Sequence, residues 1–548
     1  GDADSFFGAV ITNAGAVTEP LQISHLDTNR AGQTSLSVTL QGVTDGAHQV
    51  SIMLNGTDVG TASFNDREHP TRQLSVNNSL LLEGSNSVQL VALGGDSDIS
   101  LVDSVRLTYG HTYFADSNRL SFVSRGRPTV VDGFTSSSLR VVDITNPANP
   151  EEWTPTILRR TDGTYAVSVT APPGESSASA HTLVIFTNSE AESPASITRN
   201  IPSTLSQSSN GADFLIIAHH DLLNAVQPLA QLRESQGMTV SVVDAEDVYD
   251  EFSYGAHSPQ AIRDFLVLAT SSWTLKPRYV LLVGDATYDP RNYIGMGSND
   301  MVPTKLLYAD TMKTASDDWF ADFDGDNVPD MGVGRLPVRT AGDAALVINK
   351  IVTYTPQPSQ GSLLIADRND SNNFEGETQS LRAVLPADMQ VQVINRGNTD
   401  VGTVHSQLLN GLNQGPMVAN YYGHGSVGVW TGSGLLNTND AAALTNGNRL
   451  PLLTSMTCLN GFFHDLVDDS MAEAFLKSQQ GGAVAVWASS GLTNTAAQAE
   501  IDRQFYQILF GNTNVAVGDA IRGAKAATQD QSVRRTWVFF GDPTMRLR

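Results

Sequence analysis

Val418-Ala419-Asn420-Tyr421-Tyr422-Gly423-His424-Gly425-Ser426 reads as a short apolar strand that stops at a histidine between two glycines. Leu452-Leu453-Thr454-Ser455-Met456-Thr457-Cys458-Leu459-Asn460-Gly461 repeats that grammar, with a cysteine in the histidine's place. From His424 to Cys458 is 34 residues, enough for one crossover between neighbouring parallel strands. In open α/β sheets, sites form at the carboxyl ends of the parallel strands. The two segments therefore predict a parallel sheet that brings an imidazole and a thiol to one edge.

The same alternation extends outward in both directions. Phe214–Ala218 is a short apolar strand, and Leu222–Gln236 has helical spacing until Gly237 stops it. Thr239–Val243 is a further strand. Ser258 and Pro259 have the chemistry of an N-cap and a first helical residue. Tyr279–Val283 ends at Gly284-Asp285. Leu363–Ala366, Met389–Ile394, Met417–Tyr421, Leu452–Met456 and Ala483–Trp487 continue the series. Strand–helix–strand alternation predicts a parallel sheet with helices on both faces. The strand count suits two α/β halves in tandem, 209–355 and 356–548.

Before Ala212 the pattern is different. Ser35–Leu40, Gln49–Leu54, Ser87–Val91 and Leu101–Leu107 alternate or run apolar between Gly, Asn and Asp clusters, so residues 1–108 read as a β-sandwich. Residues 109–208 stay β-like but gain breakers and polar stretches, at Pro147–Pro150, Ser176–Ala180 and the linker-like Ile201–Gly211. They are a second β module or an extension of the first. The expected molecule is multidomain, an all-β amino-terminal region followed by α/β.

Composition narrows the function classes. With 40% hydrophobic residues in 548, the chain can bury full cores. Its 33 Lys and Arg against 57 Asp and Glu give a net charge of −24, which argues against nucleic acid and anionic membranes as partners. The single cysteine, Cys458, excludes an intramolecular disulfide and a cysteine-rich zinc site. No apolar run is long enough for a transmembrane helix. The opening Gly1-Asp2-Ala3 has neither Met nor a signal sequence, so a processed or trimmed form is expected, with export inferred indirectly.

A thiol with an ordinary pKa near 8.5 needs an imidazole neighbour to act as a nucleophile at neutral pH. The glycines beside His424 leave room for a substrate backbone and a tight turn. The N–H groups of Gly425 and Cys458 are placed to face an oxyanion. The competing reading is ordinary: a buried strand-end cysteine is usually a small hydrophobe, and a histidine between glycines is often a turn residue. The pairing of the two strand ends brings a dyad level with that reading, and the residues alone leave both open.

Asn420–Ser426 (NYYGHGS) and Thr457–Phe462 (TCLNGF) resemble the gingipain family of cysteine peptidases, relatives of caspases and legumains. Tyr279–Asp285 (YVLLVGD), Ser316–Trp319 (SDDW), Asp330–Val338 (DMGVGRLPV), Ser258–Phe265 (SPQAIRDF) and Phe540–Leu547 (FGDPTMRL) are similar to further family blocks, over about 209–548. The β region also resembles the sandwich that precedes the peptidase domain in bacterial members. The resemblance implies a caspase-like peptidase domain, Cys458 as nucleophile and His424 as general base and acid, with Gly425 and Cys458 as oxyanion donors. It further implies an acid that orients the imidazole, within Leu363–Asp370. Asp367, first after the apolar run, is the expected residue and Asp370 the fallback. Arginine-specific members carry an acidic substrate-binding residue near the position of Phe374, where Glu375 is the nearest acid. Trp487 is a second candidate for the substrate pocket.

Asp322-Phe323-Asp324-Gly325-Asp326-Asn327-Val328-Pro329-Asp330 places oxygen ligands at alternate positions around a glycine turn. Asp322, Asp324, Asp326 and Asp330 are candidate ligands of a structural calcium, although the spacing is not that of an EF-hand. No cofactor is expected for catalysis. His219-His220-Asp221 should point apart rather than hold a metal, His257 reads as a loop residue, and Ser426 lacks a nucleophile elbow. The expected function is an exported bacterial cysteine endopeptidase, extracellular or at the cell surface, acting on proteins or peptides through a thioester. A sortase-like transpeptidase associated with a secretion system is the alternative that keeps the dyad. A catalytically inert surface binding or adhesion protein is the alternative without it.

Overall fold

The computed structural model describes residues 6–29, 34–125, 127–170, 180–197, 199–297, 300–309, 312–511 and 514–547. The opening Gly1-Asp2-Ala3 and all of Ser176–Ala180 except Ala180 lie outside them. The chain divides into two compact units, one ending at Arg199 and the other starting at Asn200.

The first unit is all-β. Its first core lies between two four-stranded antiparallel sheets. One contains Thr34–Gly42 between Ser100–Thr108 and Thr71–Val76, and the other contains Ala47–Leu54 between Gly84–Ala92 and Thr57–Asn65. Alternation drives the packing: Leu36, Val38 and Leu40 face inward and their neighbours outward. Residues 119–187 form two further antiparallel sheets around a separate core that includes Phe134, Val141, Trp153 and Ile185.

The second unit is built on a ten-stranded sheet. Its strands are β1 (Phe214–Ala218), β2 (Val240–Asp244), β3 (Tyr279–Val283), β4 (Gly332–Leu336), β5 (Ser362–Ala366), β6 (Val391–Asn395), β7 (Val418–Tyr422), β8 (Leu452–Met456), β9 (Ala485–Ser489) and β10 (Trp537–Phe540). The order is β2-β1-β3-β4-β10-β9-β8-β7-β5-β6. Most of these strands are five buried residues, the reading of a sheet covered on both faces. β10 runs parallel to β4 and antiparallel to β9. The two parallel halves therefore point in opposite directions, and their carboxyl ends lie on opposite edges. One edge alone receives the ends of β5, β7, β8 and β9.

β4 escapes an apolar-run reading. β4 is Gly-Val-Gly-Arg-Leu, and its glycines are fixed by close approach: a Cβ on Gly334 would lie 2.2 Å from the Gly541 carbonyl, and one on Gly332 2.7 Å from the Tyr279 ring. Arg335 is fully buried in β4. It pairs with Asp317 at 2.5 Å and donates to the carbonyls of Gly284, Val302 and Pro303. β10 is a four-residue strand supplied by the far end of the chain.

Candidate active site

Tyr422 of β7 is in register with Met456 of β8. His424 and Cys458 each stand two residues beyond that pair, so both rise from neighbouring parallel strands at one level. The strand ends are tied across the gap, with the Gly423 N–H donating to the Met456 carbonyl at 3.2 Å. Asn460 staples the turns that follow. Its Nδ2 donates to the Ser426 carbonyl at 2.6 Å, while its Oδ1 accepts from Trp430 Nε1 and Ser455 Oγ at 2.7 Å each. Leu459 takes a left-handed φ of 61° immediately after the cysteine, which sets a sharp turn.

The glycines around His424 have a different reason from the one expected. They are dictated by close approach of protein rather than by room for substrate. A Cβ on Gly423 would lie 2.4 Å from Asp367 Cβ, and one on Gly425 would lie 2.6 Å from Thr457 Oγ1. Beyond Gly425 the chain forms a small hairpin, and the Thr431 N–H donates to the His424 carbonyl at 2.7 Å. Bonded and non-bonded pairs alternate in such a ladder, so the Gly425–Trp430 pair is the non-bonded kind, with the Gly425 N–H turned out of the hairpin. The Cys458 N–H makes no hydrogen bond to a described residue. Both candidate oxyanion donors are thus available.

The imidazole is half-exposed. Its Nε2 lies 2.8 Å from Asp370 Oδ2, and the Phe374 ring meets it edge-on at 5.2 Å. Asp370 is held down to about 2 by the backbone N–H of Asn372 and then by His424, so it is ionised at neutral pH. Asp367, the expected orienting acid, does not reach the ring. Its own N–H continues the ladder to the Tyr422 carbonyl at 2.9 Å, which keeps the side chain under the histidine's backbone. There Oδ2 accepts the His424 N–H at 3.2 Å, and Oδ1 accepts the Arg368 N–H at 2.7 Å. Cys458 is partly buried, with Sγ 3.8 Å from the Thr493 carbonyl.

Neither candidate of the substrate pocket joins the dyad. Trp487 is fully buried against Phe505 at 5.0 Å and Trp537 at 6.4 Å, because β9 continues through Ser489 and leaves the tryptophan in mid-strand. Glu375 is in the first turn of the helix Phe374–Arg382, with its N–H donating to Asn369 Oδ1 at 3.0 Å; no hydrogen bond links it to His424 or Cys458. Asn460 and Thr493 went unassigned in the sequence. Asn460 stood inside the cysteine segment, but an asparagine after a turn is ordinarily a turn residue.

Among the acidic loop residues, Asp322, Asp324 and Asp330 offer carboxylate oxygens all within 4.8 Å of one another. Asp326 is not among them; its Oδ1 accepts the Val328 N–H at 2.8 Å. Asp322 is buried, which pushes its pKa up, and its oxygens accept the N–H groups of Gly325 and Asn327. Three convergent carboxylates with one buried are a donor set that fits a hard cation. The histidine decoys pair locally: His220 lies 2.6 Å from Asp244 and His257 3.1 Å from Glu246.

A thiol and a carboxylate-oriented imidazole at one sheet edge, with two free backbone donors beside them, define the class: a protein built for nucleophilic attack by cysteine on a carbonyl. Residues 207–548 match Peptidase family C25. The chain belongs to this family, the gingipain family of cysteine peptidases. Gingipain R2 of Porphyromonas gingivalis is 24% identical over 481 residues, covering 81% of this chain and 61% of the relative. Lys-gingipain W83 of the same species is 29% identical over 189 residues, 32% of this chain and 11% of that protein. The crystal structure of the Arg-specific cysteine proteinase gingipain R superposes with a TM-score of 0.53 at 21% identity, covering 64% of this chain and 80% of that one. Dimeric latent PorU from Porphyromonas gingivalis superposes at 0.55 with 16% identity, over 99% of this chain and 50% of that one. The chain spans about three fifths of the length of Gingipain R2. No helix among the described residues is long and apolar enough to cross a membrane.

Proposed function

We propose that the protein is an exported cysteine endopeptidase, acting outside the cell or at its surface on protein or peptide substrates. The observation that carries this is the level placement of His424 and Cys458 on adjacent parallel strands, with Asp370 2.8 Å from the imidazole. His424 takes the thiol proton as Cys458 Sγ attacks the carbonyl carbon of the scissile bond. The N–H groups of Gly425 and Cys458 hold the oxyanion. The C–N bond breaks as the imidazolium returns its proton to the departing amine, leaving a thioester on Cys458. A water, deprotonated by His424, attacks that thioester, and the carboxylic product leaves as the thiol is restored. Asp370 keeps the ring oriented and offsets the charge of the imidazolium.

Purified protein should cleave members of a peptide library, and Cys458→Ala and His424→Ala should each abolish turnover. Iodoacetamide should alkylate Cys458 more slowly in His424→Ala than in the wild type. Undiminished labelling in His424→Ala would show that the histidine does not activate the thiol. Product analysis with an added amine separates hydrolysis from transfer. If products carry the amine even when water is in large excess, the enzyme is a transpeptidase.

A further inference from the structure

The departing amine must receive its proton from His424, so the amine side of the substrate lies over β7. Its acyl side then lies across Cys458, toward β9. β9 continues as Ser490-Gly491-Leu492-Thr493, the segment whose carbonyl at Thr493 touches Cys458 Sγ. A hairpin from the other half of the sheet, Lys305–Ala309 paired with Met312–Ser316, packs on that segment. Thr314 Oγ1 donates to the Ser490 carbonyl at 2.6 Å, and Ser490 Oγ donates to the Ala315 carbonyl at 2.6 Å. Gly491 is wedged between the hairpin and the sheet, since a Cβ there would lie 3.0 Å from Thr314 Cγ2 and 3.0 Å from Thr536 Cγ2. The Gly491 carbonyl accepts the Leu459 N–H at 3.2 Å. A single layer of backbone therefore separates the hairpin from the nucleophile's turn.

The register of the hairpin fixes which side chains face this layer. Leu307 pairs with Thr314, and Ala309 pairs with Met312. Side chains alternate along a strand and match across a pair, so Lys305, Leu307, Ala309, Met312, Thr314 and Ser316 share one face, with the Lys305 amine over the Trp319 ring at 4.7 Å. Thr314 points that face at Ser490. Ala309 and Thr314 are buried there, whereas Leu307 and Met312 remain half-exposed. Leu492, also half-exposed, lies between Gly491 and Thr493. No described residue of this face is a carboxylate. The two acids at the dyad are on the other side of Cys458 and already engaged, Asp367 with the His424 backbone and Asp370 with its ring. A lysine or arginine side chain entering here would meet no free carboxylate among the described residues of this face, and an apolar one would gain contact with methyl and methylene groups.

We propose that Leu307 and Met312, with Leu492, form the subsite for the residue that donates the acyl group, and that the subsite takes an apolar side chain. The proposal rests on the peptidase reading above and narrows its substrate class. Fluorogenic peptides that vary only at this residue, tested on the full chain, decide it. Leucine, methionine or phenylalanine should exceed arginine and lysine in kcat/KM by at least about tenfold. Leu307→Asp and, separately, Met312→Asp should move that ratio toward arginine and lysine by about tenfold, with the rate of Cys458 alkylation unchanged. Leu307→Ala and Met312→Ala, which add no charge, should lower the apolar preference and serve if an aspartate variant does not fold. A wild-type preference for arginine or lysine overturns the proposal. So does a ratio unmoved in every variant that labels normally. Failure of the wild type to cleave any peptide, with Cys458 still alkylated, would instead remove the peptidase reading on which it stands.

Discussion

Asp367 and Asp370 are three residues apart and hold different parts of one histidine. Asp370 meets the ring and Asp367 the backbone N–H, so substitution to asparagine should separate them. Asp370→Asn removes the charge that offsets the imidazolium and should lower kcat by about a hundredfold. Asp367→Asn keeps an acceptor for the N–H and should leave kcat nearly intact; the reverse ranking would return the orienting role to Asp367. Asp370 is depressed to about 2, so it stays charged as pH falls until that value is approached. The acid limb of the activity profile therefore belongs to another group. A second test lies in the first unit. His48 is buried, with Nδ1 2.7 Å from Asp98 Oδ1 and Nε2 2.9 Å from both the Thr44 and Asp66 carbonyls. Every partner is an acceptor, so both nitrogens must carry protons. Burial pushes the pKa down, but the Asp98 carboxylate and the two carbonyls outweigh it, and the net direction is up. A raised folded pKa gives stability that is full below the ordinary histidine value near 6.5 and is lost as pH rises through the folded value. The melting of this unit should therefore fall from pH 6 to pH 9. His48→Ala should abolish that slope and cost about 3 kcal/mol, because Asp98 is left buried and charged. A melting temperature independent of pH in the wild type would refute the imidazolium.

Strands and loops differ in how far the sequence revealed them. The inner strands mostly announce themselves as apolar runs, because a strand covered on both faces has little choice of residue, whereas the edge strands β2 and β6 mix apolar and polar residues. β4 hides behind two glycines and an arginine: Gly334 is fixed by contact with Gly541, far away in the chain, and Arg335 by Asp317, 18 residues before it. The reversal of direction at β10 was equally illegible, since pairing partners are set by tertiary packing. The placement of His424 and Cys458 at one level was legible because both stand just past neighbouring strands. Asp367, the first choice, meets the His424 backbone and the fallback Asp370 meets its ring, because reach across a loop does not follow from strand ends. Trp487 was misread for the same reason, as the end of β9 lies two residues farther on. In the acidic loop, three of the four aspartates named from their spacing converge. Arg534 and Arg535 dock it through the Asp326 carbonyl and Asn327 Oδ1, at 2.8 and 2.7 Å, just before β10 begins. If Asp322, Asp324 and Asp330 take up calcium, a hundredfold excess over Kd should add about 2.7 kcal/mol to the stability of the second unit. Chelation should then lower its melting temperature, and Asp324→Ala should blunt that fall. Identical melting with and without chelator would leave the loop a solvated acidic turn.

The whole chain separates at Arg199–Asn200 into a unit with two antiparallel β cores and a unit with the mixed sheet. Every group assigned to the chemistry lies in the second, including the hairpin wall at Leu307 and Met312. The second unit also owns a continuous core that runs through both halves of the sheet, from Phe214 to Leu547. A domain with its own core and its own site should not need the other for either. Residues 200–548 expressed alone are therefore expected to fold cooperatively, to alkylate at Cys458 and to cleave the same peptides with comparable kcat/KM. Calorimetry of the full chain should show two transitions, with the pH-dependent one missing from the shortened protein because it reports His48. Three results would each teach something different. If the shortened protein unfolds, the β unit is a structural partner of the sheet. If it folds but loses only affinity, the β unit helps to present substrate. If turnover rises sharply when residues before Asn200 are removed, the β unit is an inhibitory segment.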